Sequence, residues 1–466
     1  MTTATETAYN TCGEAIQLKR MLIDRLLQWK ESPRRKPLIL KGVRQVGKTW
    51  LLREFGRLAY DDVAYFNFEN NKALSERFQH SLEPESLITE LGIIRGKVIQ
   101  PGRTLVILDE IQFCSEAITS LKYFQESAPE YHIVTAGSLL GIAMARPTSY
   151  PVGKVDVMTL RPMSFYEFLL ANGEDLLVEH LAREVTQPTA LGPLLTSRLL
   201  DYLKAYYITG GMPEAVSVWL ATKDVGELDT VQRNILDLYA LDFAKYAPAS
   251  DIPKLSMIWN SIPGQLAKER GKFVYGMLKE GARAKAFEDA MMWLQNAGMV
   301  FKVHRIEKPG VPLKAYAKDA HFKLYGPDIG LLRRMAGLSA RSITEQDPLY
   351  QEFKGVMAEC FCLQEILTIL DDVPFYWASG NQAEVDFVVQ IAGAIVPIEV
   401  KSADNLRARS LTEYRRKYGP MVSVKASQAD LTYADGVLVC PLYLLWKMPE
   451  LVRAVITNPA TGFQER

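Results

Sequence analysis

Apolar residues first recur with a helical period: Ile16, Met21, Leu22, Leu26 and Leu27 form one stripe before the breaker segment Ser32, Pro33, Arg34, Arg35, Lys36 and Pro37. The rhythm then changes. Short apolar runs at residues 38–40, 63–66, 105–108 and 133–135 alternate with helical stretches, which predicts a parallel sheet built from βαβ units. From about residue 176 to 246 the period is helical again, broken at Gly210, Gly211, Met212 and Pro213, where glycine ends one helix and proline opens the next. Beyond that, residues 252–259, 261–268 and 284–296 read as three helices. A strand from Val300 to Arg305 and a turn at Pro309 and Gly310 follow, an order that predicts a winged-helix module. No internal repeat is present.

One strand-to-helix junction carries a chemical signature. Gly42, Val43, Arg44, Gln45, Val46, Gly47, Lys48 and Thr49 spell GxxxxGK[ST] directly after the apolar run at 37–41. Such a loop turns main-chain N–H groups inward around a phosphate and opens a helix whose N-terminal dipole favours the anion. Lys48 is the ammonium for the β- and γ-phosphates and Thr49 the hydroxyl for magnesium. A surface glycine turn satisfies the loop pattern alone, so a second element matters. It comes at residues 104–110, TLVILDE, an apolar strand ending in two acids. Asp109 at the tip orients a magnesium shell and Glu110 polarises the attacking water, with Gln112 close behind. The next strand runs into Ala136, Gly137 and Ser138; the Ser138 hydroxyl is a candidate γ-phosphate sensor, a plain turn serine being the other reading.

The GVRQVGKT loop, the LVILDEIQ strand, the TAGSLLG segment and the stretch PVGKVDVMTLRPMSFYEFL resemble a bacterial and archaeal AAA+-type ATPase family. The segments TGGMPEAV, FKLYGPDIGLL, EVDFVV and Val396 to Lys401 resemble the domain of unknown function that follows that ATPase core, so the resemblance spans nearly the whole chain. It implies ATP and Mg2+ as cofactors and a homo-oligomer in which a neighbour's arginine completes the site. Lys154 stands where that family has Arg, and Arg146 and Arg161 are the candidate arginines nearby.

A second constellation lies in the last third. Asp386 is followed thirteen residues later by Glu399, Val400 and Lys401, a spacing that resembles the PD-(D/E)xK nuclease arrangement, with Val385 where that motif usually has proline. Period two puts Glu399 and Lys401 on one strand face, Asp386 joins from the neighbouring strand, and Glu359 on the preceding helix adds an acid. Two carboxylates of this kind hold Mg2+ against a scissile phosphate while a lysine positions water. A non-catalytic version of the fold, or an ion-paired edge strand, fits the same residues. The winged helix brings DNA in as a partner: its wing carries Lys302, Arg305, Lys308, Lys314 and Lys318, whereas Lys285 on its third helix is offset by Glu288 and Asp289. A solvated basic face is the competing reading.

Length and charge bound these readings. A chain of 466 residues exceeds one hydrophobic core. The expected class is α/β, with an N-terminal helix at 1–36, an AAA+-like P-loop ATPase core at 37–170 and a helical extension at 171–250. A winged-helix module at 251–340 and a restriction-endonuclease-like α/β domain at 341–466 complete it. Lys plus Arg and Asp plus Glu both number 54, so no bulk field announces a nucleic acid or a membrane and any such contact is local. The five cysteines, Cys12, Cys114, Cys360, Cys362 and Cys440, are scattered and lack paired CxxC units, which suits a reducing cytosol and argues against structural zinc. The start MTTATETAYN lacks a signal-peptide pattern and no run approaches the roughly 20 apolar residues of a membrane span, so the expected location is cytoplasmic.

Overall fold

In the computed structural model, which describes residues 18–137, 140–144, 151–268, 271–380, 383–402 and 409–457, the apolar runs of the first third become strands. These are β1 (Leu38–Lys41), β2 (Asp62–Asn67), β3 (Thr104–Asp109), β4 (His132–Ala136) and β5 (Asp156–Thr159). They form one parallel sheet in the order β2-β3-β4-β1-β5. Helices cover both faces, so every residue of β3 and β4 is buried and the strands read as unbroken apolar runs rather than alternating ones. The helix Leu22–Glu31 belongs to this unit, which comprises residues 19–161 and 292–299, rather than standing as a separate N-terminal element. Its Trp29 packs edge-on against Phe55 and His132 and donates its indole N–H to the Lys36 carbonyl at 3.0 Å.

The other unit contains residues 162–291 and 300 onward. The helical stretch expected from the periodicity appears as helices Asp175–Glu184, Pro193–Thr209, Pro213–Thr222 and Val225–Tyr246, with Pro213 in the first turn of its helix. Its sheet has eight strands, β6 (Phe301–Ile306), β7 (Ala317–Tyr325), β8 (Phe375–Ser379), β9 (Ala383–Ile391), β10 (Ala394–Val400), β11 (Ser423–Ser427), β12 (Thr432–Ala434) and β13 (Val437–Pro441). Their order is β12-β13-β11-β10-β9-β8-β6-β7. The long helix Pro348–Leu370 supplies much of the core through Met357, Phe361, Ile366 and Leu367.

Two expectations are corrected here. Residues 252–268 do not form two helices but one, Ile252–Leu266. The stripe Leu255, Ile258, Trp259, Ile262 and Leu266 stays buried through Pro263, which removes a single N–H donor without breaking the apolar face. The hairpin expected as the wing is not part of a free-standing module at 251–340. Its first strand pairs in parallel with β8, His304 opposite Phe375 and Ile306 opposite Trp377, so β6 and β7 form one edge of the large sheet. A boundary at 340/341 would cut through that sheet.

The TGGMPEAV and FKLYGPDIGLL segments meet in a buried knot. Asp328 Oδ2 accepts the Gly211 N–H at 2.6 Å and its Oδ1 accepts from Leu331 N at 2.9 Å. Gly211 O in turn accepts from Met163 N at 2.7 Å. Gly210 has no room for a side chain, since a Cβ there would overlap the Asp328 carboxylate. The guanidinium of Arg333, fully buried, donates to the carbonyls of Ile208 and Leu338, to Gln232 Oε1 and to Asp229. A buried guanidinium is tolerable because its donors are met by oxygens.

Glu365, on the long helix, accepts the Phe165 N–H at 2.8 Å through Oε1, while its buried Oε2 has no partner. Burial pushes this carboxyl up to about 8, against the Phe165 hydrogen bond and with help from Glu167. The folded state therefore holds the proton more tightly than the unfolded chain, whose value is near 4.5, so this stabilisation is full below pH 4.5 and lost as pH rises through 8. Glu365→Gln, which keeps the acceptor without the charge, should flatten the decline in stability across that window. It should exceed the wild type at pH 8 by on the order of a few kcal/mol, as read from urea unfolding at a series of pH values.

Candidate active site

The loop after β1 is shaped by residues with positive φ: Gly42 at 155°, Gln45 at 62° and Gly47 at 91°. Gly42 has to be glycine for a second reason, since a Cβ would overlap the Leu160 carbonyl oxygen, brought close by Leu160 N donating to Lys41 O at 2.7 Å. From Gly47 the chain enters the helix Lys48–Ala59, whose first N–H groups face the loop's interior. Lys48 is only 7% exposed and curls back over the loop, Nζ donating to Gly42 O at 2.8 Å and Val43 O at 2.9 Å. Arg20 braces the far limb, its guanidinium reaching Val46 O at 3.0 Å and Arg161 O at 2.5 Å. Loop, ammonium and helix terminus form a concave, positively biased cradle of the kind that holds a polyphosphate.

Because β4 lies between β1 and β3, the carboxyl ends of the two motif strands sit one strand apart, and Thr49 meets Asp109 directly. Thr49 Oγ1 donates to Asp109 Oδ2 at 2.7 Å. Tyr65, which the sequence did not single out, donates its hydroxyl to the same oxygen at 2.8 Å, and Glu110 N donates to Oδ1 at 3.0 Å. Burial, then the Asp109 charge, raises the Tyr65 phenol, which keeps it a donor at neutral pH. A hydroxyl and a carboxylate in contact are the hard oxygen donors that suit Mg2+, so the residues present fit that ion. Glu110 follows in a left-handed conformation, φ 50°, which turns its side chain out of the strand, and it accepts a hydrogen bond from Gln112 Nε2. Ser138 and Arg146 lie outside the described residues. Lys154 pairs with Glu126 at 2.9 Å, and Arg161 engages Arg20 through its main chain.

The second constellation is also brought together. Asp386 on β9 accepts Val400 N at 2.8 Å; Glu399, 4% exposed, pairs with Lys401 at 2.7 Å; and Glu359 reaches the same group from the long helix. At its centre stands Lys323 of β7, a residue the sequence reading did not single out. It is 2% exposed, with Nζ 2.7 Å from Glu384, 3.3 Å from Glu359 and 4.0 Å from Asp386. Burial works against the Lys323 ammonium, but Glu359, Tyr325, Glu384 and Asp386 outweigh it and hold its pKa well above the ordinary value. Burial, reinforced by Glu359 and Glu399, raises Asp386 well above the usual carboxylate range. A polar cavity of about 370 Å³ opens beside the cluster, lined by Lys268, Glu352, Glu359, Glu384 and Ser410. Among the described residues no group of three or more His, Cys, Asp and Glu side chains is arranged to hold a metal ion. The cluster as it stands does not fit one, since an ammonium supplies its central positive charge.

Residues 34–169 match the AAA domain family, residues 200–342 a domain of unknown function (DUF8612), and residues 354–445 another (DUF4143). The match to the AAA domain family thus falls on the unit built on β1 to β5. Uncharacterized proteins of Mycobacterium tuberculosis and Mycobacterium bovis are each 32% identical over 80 residues, 17% of this chain, and the chain spans about 17% of the length of those curated relatives. Among solved structures, the Walker-type ATPase PABY2304 of Pyrococcus abyssi is similar at 15% identity and TM-score 0.44, covering 71% of this chain and 99% of that one. The ORC2 protein of Aeropyrum pernix in its ADP form is similar at 16% identity and TM-score 0.31, covering 73% of this chain and 95% of that one. No helix of the described residues is long and apolar enough to cross a membrane.

Lys323→Met should destabilise the protein by roughly 3 kcal/mol, because it leaves partly buried carboxylates without their cation. Denaturant unfolding at neutral pH measures the loss, and the gap to the wild type should narrow on acidification as those carboxylates take up protons.

Proposed function

We propose that this chain binds ATP in the loop from Gly42 to Thr49 and hydrolyses it. The observation that carries the reading is the contact of Thr49 with Asp109 at 2.7 Å beside Lys48, two motifs 60 residues apart in sequence closing on one point. Main-chain N–H groups of the loop bind the phosphates, and Lys48 exchanges its carbonyl partners for phosphate oxygens, neutralising charge that grows on the leaving group. Thr49 and Asp109 would hold Mg2+, which when bound would offset the negative charge of the phosphate oxygens. Glu110 accepts a proton from the attacking water. Tyr65 orients the Asp109 carboxylate by occupying the oxygen it shares with Thr49.

The output coupled to this ATPase is DNA binding through the hairpin of β6 and β7. Burial first, and then the charges of Arg305, Lys272 and Lys318, push the pKa of the β7 histidine His321 down, so cations gather at this hairpin on a chain of zero net charge, although Lys318 also pairs with Glu307 at 2.9 Å. A second reading, DNA cleavage by Asp386, Glu399 and Lys401 with Glu359, is favoured by their juxtaposition. Lys323 at the centre of that cluster counts against it, and supports instead a nuclease-like fold that recognises a partner without cutting. The buried free thiols Cys114, Cys360, Cys362 and Cys440 suit a reducing cytoplasm.

Lys48→Ala should lower ATP affinity by about 100-fold or more, whereas Glu110→Gln should keep affinity and slow turnover by about 100-fold or more. Equal ATP affinity in wild type and Lys48→Ala sinks the assignment. Turnover measured with and without duplex DNA over a salt series, beside a gel assay for Mg2+-dependent nicking, separates the two outputs. Stimulation that fades with salt and no nicking is the expected result, and nicking lost in Asp386→Ala would favour the second reading.

A further inference from the structure

Tyr65 stands on β2, the edge strand of the five-stranded sheet, and both its hydroxyl and its ring are held. The hydroxyl donates to Asp109 Oδ2 at 2.8 Å and accepts from Asn67 Nδ2 at 3.3 Å, Asn67 lying two residues on and therefore on the same strand face. A phenol has one proton to give, and with Asn67 on its acceptor side that proton goes to Asp109. The ring meets Arg53, whose Cζ lies 4.1 Å from the ring centroid, within the range of a cation–π contact. Arg53 comes one turn after Thr49 on the helix Lys48–Ala59, so the two side chains leave the same helix face. That helix is seated tightly on β2: a Cβ on Gly56 would overlap Val63, so main-chain packing sets the distance between Arg53 and Tyr65. The next arginine along, Arg57, is committed instead to Glu54 at 2.7 Å.

We infer that Arg53 is a positioning residue for Mg2+-dependent nucleotide binding: it acts through the ring of Tyr65 to fix the Asp109 carboxylate. The inference rests on the reading of Thr49 and Asp109 as the pair that would hold Mg2+. Asp109 Oδ1 is tied to the N–H of Glu110, and Oδ2 is shared by the hydroxyls of Thr49 and Tyr65. Thr49 is on that reading itself a ligand, so of the two hydroxyls only that of Tyr65 serves the carboxylate alone. A hydrogen-bond partner behind a metal-holding carboxylate orients it, and losing one typically costs about ten- to a hundredfold in metal affinity or activity. Because β2 has a strand neighbour on one side alone, the place of the ring depends on what the helix sets against it. Against burial and the Asp109 charge, which raise the Tyr65 phenol, the Arg53 charge works in the opposite sense and strengthens the hydroxyl as a donor. One helix thus supplies a hydroxyl to Asp109 and a cation to the ring whose hydroxyl shares the same oxygen.

The test titrates a fluorescent ATP analogue onto the full chain in EDTA and over a Mg2+ series. It compares wild type, Tyr65→Phe, Arg53→Met and the double variant, with Arg57→Met as the control for loss of a surface cation. Phe keeps the ring without the hydroxyl, and Met keeps the stem of Arg53, an exposed residue, without its charge. In EDTA every variant should bind within about twofold of wild type, because the phosphate cradle is untouched. Tyr65→Phe should need about tenfold more Mg2+ for half-maximal enhancement of binding, and Arg53→Met about threefold more. The double variant should need no more than Tyr65→Phe, since a ring without its hydroxyl has nothing to pass on, and Arg57→Met should match wild type. An unchanged Mg2+ requirement in either single variant overturns the inference. An Arg53→Met effect that persists in full on the Tyr65→Phe background also overturns it, by making Arg53 a source of general positive charge. Weaker binding in EDTA overturns it by making the pair a support of the cradle. A wild-type chain whose nucleotide affinity ignores Mg2+ overturns the reading of Thr49 and Asp109 itself, and the inference falls with it.

Discussion

The insertion of β4 between β1 and β3 is the constraint on which the P-loop unit depends. Parallel strands sit about 4.8 Å apart, so one intervening strand places the loop after β1 and the acid at the tip of β3 at the separation two side chains can span. Thr49 and Asp109 meet at 2.7 Å across that one strand. Burial of β3 and β4 on both faces makes that spacing rigid. Asp109 is held at 2% exposure by Thr49, Tyr65 and the N–H of Glu110, and the loop is braced by Lys48 from inside and Arg20 from outside. The close fit of Gly42 to Leu160 extends the same constraint to β5, on the other side of β1.

The second unit is organised by buried polar groups with different solutions to the same problem. Asp328 and Arg333 bury charge by spreading it over main-chain N–H and carbonyl groups, so segments distant in sequence are tied by directional bonds. Glu365 solves it by holding a proton. Lys323 solves it by collecting carboxylates from β9 and the long helix around one ammonium. A knot of the first kind explains the glycines of TGGMPEAV and the aspartate of FKLYGPDIGLL without any ligand: Gly210 and Gly330 leave room for the opposing chain.

What was legible in the sequence follows from locality. The GxxxxGKT loop and the strand ending in Asp109 and Glu110 were readable because a phosphate cradle needs contiguous main-chain N–H groups and a buried strand needs a contiguous apolar run. The helix ending before Gly210 and the one opening at Pro213 were readable for the same reason. The wing was misread because a hairpin looks alike whether it flanks a winged helix or closes the edge of a sheet. Pairing of His304 to Ile306 with residues beginning at Phe375 decided the matter, and no local pattern carries that information. The helix break before Ser261 failed because an apolar stripe on both sides of Pro263 outweighed one missing donor. Asp386, Glu399 and Lys401 are candidates by spacing and Glu359 by its place on the preceding helix, whereas Lys323 and Tyr65 carry no such signal, since each acts on a partner brought to it only by strand order.

Lys323 also changes how the two carboxylate centres are to be compared. Both pair acids with a lysine, yet the acid at the P-loop is contacted through hydroxyls and one N–H, and its lysine bonds to loop carbonyls instead. Among the described residues, the donors to Asp109 with which an incoming cation competes are neutral. In the C-terminal cluster a cation must displace an ammonium that is 2% exposed and already 2.7 Å from Glu384. Charge–charge attraction at that distance in a protein interior is several times its value in water, and a divalent ion must also shed its own hydration before it can replace the ammonium. The same residue types therefore leave a carboxylate contacted by neutral donors in one unit and a self-neutralised cluster in the other, and the difference lies in where each lysine's nitrogen is held.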